Sequence, residues 1–259
     1  RRPLIAGNWK MNLNHLQSIA FVQKLSWALK DKKFDDKEVE VGVFPPFTDL
    51  RSVQTLINAD DLPLTLGAQD LSVHDEGAHT GDISGAFLAS LDCTYVLVGH
   101  SERRAHHHED DDICAGKVQA ALRNELTPIL CVGETTEDLE KFGASKVPVD
   151  QLSAVLSAIP RGSEIVVAYE PVWAIGSGQS ATPDQAEDVC RALRETIRSL
   201  HGDDAAVSTR ILYGGSVKST NIAGFMKREN IDGALVGGAS LDVDEFVAIA
   251  RFPQHVSVE

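Results

Sequence analysis

Short runs of apolar residues alternate with longer segments of helical periodicity along almost the whole chain. The runs are about four to eight residues long and are bounded by turn residues, which is typical of strands buried in a parallel sheet. Between them, apolar side chains recur three or four positions apart, as they do on one face of a helix. Strands are predicted at residues 4–8, 39–44, 64–69, 95–98, 128–132, 164–168, 210–213 and 233–236.

Helices are predicted at 16–29, 49–57, near 83–91, 113–124, 149–159, from 182 to near 200, 220–227 and near 243–251. Thr48, Thr182 and Asp242 are expected to cap three of them, and Pro183 suits a first helical position. Eight strand–helix alternations predict an α/β protein with one (β/α)8 barrel domain over residues 1–259. An open doubly wound sheet is the alternative, but no GxGxxG follows the first strand.

Composition and charge narrow the class of protein. A chain of 259 residues that is 43% hydrophobic can bury one large core. No window is apolar enough for a transmembrane helix. The net charge of −14 argues against nucleic acid or an anionic membrane as a partner. Four widely spaced cysteines without a CxxC indicate reduced thiols, so we expect a cytoplasmic protein.

Barrel enzymes place their chemistry on the loops that follow the strands. Here those loops carry Asn8, Lys10, His100, Ser101, Glu102, Glu170, Ser216 and the glycine pairs 214–215 and 237–238. A carboxylate, an imidazole and an ammonium are thus expected at one end of the barrel. Glycine-rich backbone on the last two loops suits an anion such as phosphate, although each pair alone predicts only a tight turn.

The segment 168–178 reads AYEPVWAIGSG and follows the sixth predicted strand. Glu170 comes directly off that strand, Pro171 ends the ladder, and bulky apolar residues precede Gly176. We interpret this segment as a lid that excludes water above a general base. The alternative is a strand-end carboxylate beside a loop that packs on its own Trp173.

Five segments together resemble the signatures of the triosephosphate isomerase family, in the right order and over nearly the whole chain. They are Gly7-Asn8-Trp9-Lys10, Val98-Gly99-His100-Ser101-Glu102-Arg103-Arg104, residues 168–178, Tyr213-Gly214-Gly215-Ser216 and Val236-Gly237-Gly238-Ala239-Ser240. The resemblance implies a TIM barrel that interconverts dihydroxyacetone phosphate and D-glyceraldehyde 3-phosphate. The reaction belongs to glycolysis and gluconeogenesis and passes through an enediolate without metal or cofactor.

The resemblance also implies the residue roles. Glu170 would move the proton between C1 and C2, and a neutral His100 would polarise the carbonyl oxygens. Lys10 would supply positive charge and Asn8 would orient the substrate, while Glu102 would either carry protons or only hold Lys10. The phosphate would meet backbone N–H groups of Gly176, Ser216, Gly237 and Gly238.

Some positions depart from the commonest family pattern. Ser177 stands in place of a Thr in the lid, His79 in place of an aromatic ring, Asp82 in place of Glu and Asp70 in place of Asn. The run 106–112, HHHEDDD, could suggest a metal site, but adjacent ligands do not converge easily. We expect a solvated, partly capping stretch there. Cys131 is expected to be a buried structural thiol.

The loop 70–82 is long for a compact domain and mixes apolar, glycine and charged residues. We expect it to insert into a second copy of the chain and form a homodimer, rather than to be a disordered surface loop. The resemblance places Thr80, at its tip, near Asn8 and Lys10 of the partner subunit. Two other functions remain open: a Schiff-base aldolase with Lys10 as nucleophile, and a barrel that binds phosphosugars or a partner without catalysis.

Overall fold

The structure is a computed structural model that describes residues 1–175 and 180–254. Its strands are β1 (Leu4–Asn8), β2 (Glu40–Phe44), β3 (Thr65–Ala68), β4 (Tyr95–Val98), β5 (Thr127–Val132), β6 (Val166–Tyr169), β7 (Arg210–Tyr213) and β8 (Gly233–Val236). Each strand pairs in parallel with the next, and β8 closes onto β1. The predicted (β/α)8 barrel is therefore confirmed.

Helices follow the strands around the barrel. They are α1 (His15–Asp31), α2 (Leu50–Asp60), α3 (Gly85–Ala89), α4 (Ser101–His107), α5 (Asp111–Arg123), α6 (Thr136–Phe142), α7 (Lys146–Ala158), α8 (Pro183–His201), α9 (Asp203–Ser208), α10 (Ile222–Met226) and α11 (Val243–Ala250). The sequence patterns did not predict α4, α6 or α9. They are six or seven residues long and bury at most one residue each, so they have no apolar face that a sequence pattern could reveal.

The period-two alternation of the strands divides the core into two layers. Leu4 and Ala6 of β1 belong to the cluster inside the barrel, together with Phe44 and Leu97. Ile5, between them, belongs to the larger cluster that the strands form with the surrounding helices. Burial of both faces explains why the strands read as continuous apolar runs.

Polar side chains fill the amino-terminal end of the barrel. The Glu40 carboxylate accepts hydrogen bonds from Arg210 at 2.7 Å and from the Tyr95 hydroxyl at 2.8 Å. These residues begin β2, β7 and β4. Burial raises the pKa of Glu40, but hydrogen bonds from Arg210 and Tyr95 outweigh it and lower the pKa overall. A paired charge cluster therefore occupies this end, and the carboxyl-terminal end is left for a binding cavity.

Two of the predicted caps are confirmed and one is wrong. Thr182 and Gln185 form a capping box at α8, and the Asp242 side chain accepts from the Glu245 N–H at α11. Thr48 does not cap α2, because residues Phe47–Asp49 form a separate 3-10 turn before that helix. The Thr48 hydroxyl donates instead to the Asp49 side chain, at 2.9 Å.

All four cysteines are buried free thiols, as expected for Cys131. No helix in the described part of the chain has the length and apolar character that crossing a membrane requires.

Candidate active site

A cavity of about 730 Å³ opens at the carboxyl ends of the strands. Its wall contains residues from the loops after β1, β4, β6, β7 and β8: Asn8, Lys10, His100, Glu102, Glu170, Ser216, Gly237 and Gly238. These are the residues in which the sequence predicted catalysis and phosphate binding, with the exception of Gly176. Gly176 and Ser177 lie outside the described residues, so the lid prediction can be followed only up to Ile175.

The Glu170 carboxylate is almost fully buried, with 2% of the residue exposed. One oxygen lies 2.9 Å from Nε2 of His100, and the other accepts the backbone N–H of Ser101 at 2.9 Å. Burial raises the pKa of Glu170, but the charge and hydrogen bond of His100 and the Ser101 N–H lower it overall. The carboxylate is thus held ionised in a dry position, the state that a general base needs.

Two glycines make room for Glu170 at the strand ends. A Cβ at position 133 would lie 1.7 Å from the Glu170 carbonyl oxygen, and one at Gly214 would lie 3.0 Å from Cγ of Glu170. Any side chain at Gly133 would therefore displace the backbone that carries the base. Gly133 was not identified from the sequence, and Gly214 was considered only as part of a phosphate-type glycine pair, because the close approach to Glu170 exists only once β5, β6 and β7 are side by side.

His100 precedes α4, and the ring bonds back onto the helix that it begins. Its Nδ1 accepts the backbone N–H of Glu102 at 3.2 Å, so in the neutral ring the proton resides on Nε2. Burial lowers the pKa of His100, but the nearby Glu170 carboxylate raises it overall. If Glu170 moves to a substrate, that raising influence weakens. Burial and the backbone N–H at Nδ1 then favour a neutral imidazole that donates from Nε2.

Lys10 lies in the cavity wall with its backbone in the left-handed region, at φ 53°. Its N–H donates to the Asn8 side chain at 3.0 Å, and its carbonyl accepts from Gln69 at 2.8 Å. The ammonium forms an ion pair of 2.6 Å with Glu102. Three neighbours thus fix a strained backbone position and the direction of its charge.

The beginning of the lid is attached to the barrel through Glu134, which follows β5. The buried Glu134 carboxylate accepts hydrogen bonds from the Trp173 ring N–H at 2.7 Å and from the Tyr169 hydroxyl at 2.9 Å. Burial raises the pKa of Glu134. Trp173 therefore packs on the barrel through a specific polar contact and not only through its own loop, as the simpler interpretation of this segment proposed.

A second cavity of about 440 Å³ adjoins the first and shares Asn8, Lys10, His100 and Glu102 with it.

For the run 106–112, the expectation of a solvated stretch is only partly correct. Glu109 is buried and pairs with Lys117 at 2.6 Å and with Arg103 at 2.7 Å. Lys117 also pairs with Asp70 at 2.6 Å, and Asp110 caps α5. A buried carboxylate cannot be told from its solvated neighbours until its cationic partners are known.

Sequence reasoning missed further residues of the cavity. Gln69 was placed at a strand end but received no role, although it fixes the Lys10 carbonyl. Lys218 lines the cavity three residues after the second glycine of β7's loop and adds an exposed ammonium. Its position after a glycine-rich phosphate-type loop was the signal that could have found it.

Sequence comparison relates the chain to one family of known proteins. A family model described as triosephosphate isomerase matches residues 3–252. A relative of that name from Leifsonia xyli is 65% identical over 256 residues, covering 99% of both chains. One from Streptomyces avermitilis is 56% identical over 254 residues, covering 97% of this chain and 98% of the relative. One from Mycobacterium avium is 54% identical over 252 residues and covers 96% of each chain. The chain therefore belongs to the triosephosphate isomerase family.

Proposed function

We propose that this chain catalyses the interconversion of dihydroxyacetone phosphate and D-glyceraldehyde 3-phosphate, a step of glycolysis and gluconeogenesis, in the cytoplasm. The observation that carries the proposal is the contact of 2.9 Å between Glu170 and His100, which line one cavity together with Lys10. A carboxylate base, a ring N–H donor and an ammonium then surround one small anionic substrate. Family membership supports the same reaction.

The reaction begins with removal of a weakly acidic C–H proton next to the carbonyl. Glu170 takes that proton and returns it to the neighbouring carbon, because its buried position spares it from hydration. The electron pair moves onto the carbonyl oxygen and gives an enediolate. His100 donates from Nε2 to the oxygen on which the negative charge develops, and the proton of the neighbouring hydroxyl passes to that oxygen by way of the same nitrogen. Return of the carbon proton then leaves the carbonyl on the other carbon. The donor lowers the barrier most when it is already positioned.

Lys10 and the last two loops bind the substrate in this proposal. The Lys10 ammonium offsets the net charge of −14, which would otherwise repel a phosphate dianion. Asn8 orients the substrate, and the backbone N–H groups of Ser216, Gly237, Gly238 and, on the lid, Gly176 bind the phosphate. A Cβ at Gly238 would find no atom within 4 Å, which is consistent with open space for a ligand. The ion pair of 2.6 Å favours Glu102 as the group that holds Lys10.

Turnover of glyceraldehyde 3-phosphate to dihydroxyacetone phosphate tests the reaction directly. We expect full activity in excess chelator, since no step uses a metal. Treatment with borohydride in the presence of substrate should leave activity and mass unchanged. A covalent adduct on Lys10 would establish the Schiff-base aldolase instead, and binding without turnover would establish a barrel that has lost catalysis.

The proposed working unit is a homodimer built around the loop 70–82. The loop closes at its base, where the Ser72 N–H donates to the Ile83 carbonyl at 2.8 Å, and it projects exposed residues between. In this arrangement Thr80 approaches Asn8 of the partner subunit and the partner's Lys10, in the second cavity. A two-fold pair buries both loops at once, because the contact is self-complementary.

Shortening the loop between Val73 and Asp82 is expected to give a monomer with severely reduced activity. Each active site then loses the contact that fixes its Lys10, although all of its chemical groups remain. Sedimentation velocity and a turnover assay measure the two effects together. A fully active monomer, of either the wild type or the shortened variant, would contradict the dimer.

A further inference from the structure

Imidazoles form part of the outer wall of the second cavity. His106 and His107, the last two residues of α4, line it together with Lys10 and Arg103. Both histidines are exposed, and the proposed reaction uses neither of them. This wall is therefore available for a contact outside the chemistry of the active site.

Two further imidazoles lie on the loop 70–82. The rings of His74 and His79 stack with centroids 3.7 Å apart and planes inclined by 6°. A tight turn supports the stack, because the His79 N–H donates to the Gly77 carbonyl and the His79 carbonyl accepts from Asp82. The loop thus presents a preformed pair of exposed rings next to Thr80.

Resting on the homodimer proposed above, these two observations meet at one interface. If Thr80 approaches Asn8 and Lys10 of the partner subunit, then His79, one residue away, enters the cavity walled by the partner's His106 and the partner's His107. We propose that imidazoles from both surfaces build the interface between two copies, and that acid dissociates the pair by charging them. Imidazole is the side chain that ordinarily gains its charge between about pH 8 and pH 5.

The charged groups around the second cavity are already paired with one another. The Glu102 carboxylate is paired with Lys10 at 2.6 Å, and Asp70 and Glu109 are each paired with Lys117 at 2.6 Å. Arg103 also contacts Asp70 and Glu109, and His100 lies on the same wall. Protons added to His106 and His107 therefore create net positive charge at the surface that receives the loop.

The loop's own charges point in the same direction. Asp75 is bound by Arg123 and Asn124, and Asp82 accepts the Ser72 hydroxyl at 2.7 Å. Glu76 is an exposed carboxylate that would attract an imidazolium. In the dimer, a charged His79 would also face the charged rings of the partner's His106 and the partner's His107, a repulsion that the separated subunits do not have. Repulsion outweighs the single carboxylate.

The test measures the dimer dissociation constant of the wild-type protein by sedimentation at about pH 8 and about pH 5.5. We expect a dimer at the higher pH and a dissociation constant roughly 100-fold larger at the lower one. A shift of one pKa unit in one group between monomer and dimer changes the dissociation constant about tenfold. A two-fold dimer contains the contact twice, so the two factors multiply. The logarithm of the constant should rise as pH falls, which reports uptake of protons on dissociation.

Variants assign the effect to the imidazoles. His79→Phe combined with His106→Phe and His107→Phe keeps aromatic area but cannot be charged, so the dimer should persist at about pH 5.5. His201→Gln, at the end of α8, is the control and should dissociate like wild type. Burial raises the pKa of Asp70. Asp70→Asn therefore tests whether this carboxyl group, and not the imidazoles, causes the pH dependence. We expect the pH dependence to remain in this variant.

The outcomes distinguish the two proposals. An active wild-type monomer at about pH 8 contradicts the homodimer itself, whereas a dimer with the same constant at both pH values overturns only the acid dissociation. Unchanged acid dissociation in the folded triple phenylalanine variant also overturns it. If that variant does not fold, as judged by its thermal unfolding, the wild-type slope decides, because a slope of zero excludes linked protonation.

Discussion

Glu170→Asp is expected to fold normally and to lose turnover by on the order of 100-fold, because misplacing a reacting group by about 1 Å costs that much. The shorter side chain withdraws the carboxylate from its two anchors, His100 Nε2 and the Ser101 N–H, both at 2.9 Å. The loss should fall on kcat and leave KM nearly unchanged, since Glu170 moves a proton and contributes little to phosphate binding. Steady-state kinetics in both directions measure the two constants separately.

The matched control is Glu164→Asp. Glu164 is an exposed carboxylate shortly before β6, the strand that Glu170 follows, and it lies at the other end of the barrel. The substitution Glu164→Asp also removes one methylene, and it should leave kcat unaltered. A value of kcat near the wild type in Glu170→Asp, with an unchanged melting temperature, would remove Glu170 from the role of base.

Lys10→Met should weaken the binding of substrate and of inorganic phosphate together, by roughly 10- to 100-fold. Hydrogen bonds to charged groups contribute about 1.5–3 kcal/mol, and every 1.4 kcal/mol is tenfold. The change removes an ammonium from an acidic protein and leaves the Glu102 carboxylate, 2.6 Å away, without that partner and facing an anion. Competitive inhibition by phosphate at low salt measures the effect without turnover.

A double variant divides that loss between its two causes. Lys10→Met with Glu102→Gln removes the carboxylate that the single change exposes, so binding should recover in part if repulsion by Glu102 contributes. Lys24→Met, at an exposed position on α1, is the control for charge alone and should bind phosphate like wild type. Unweakened phosphate binding in Lys10→Met would show that another cation, such as Lys218, holds the dianion.

The sequence by itself determined the barrel and the composition of its active end. Strands buried on both faces are predominantly apolar, so β1, β4, β7 and β8 were predicted to the residue. The rule that parallel strands deliver their following loops to one end then predicted that Asn8, His100 and Glu170 would meet. The helix caps Thr182 and Asp242 were also predictable, because a cap depends on only about four consecutive residues.

Only the tertiary structure decided contacts between residues far apart in the chain. Glu170 requires glycine at position 133 because β5 lies beside β6, and Gln69 reaches the Lys10 carbonyl because β3 lies near β1. Closer in the chain, Glu109 is buried because α4 and α5 bring Arg103 and Lys117, six and eight residues away, around it. In each case the contact is stabilised by a partner that no local sequence pattern indicates. The proposed role of the histidines on the loop 70–82 and on α4 likewise depends on a contact that the sequence does not indicate, here with a second copy of the chain.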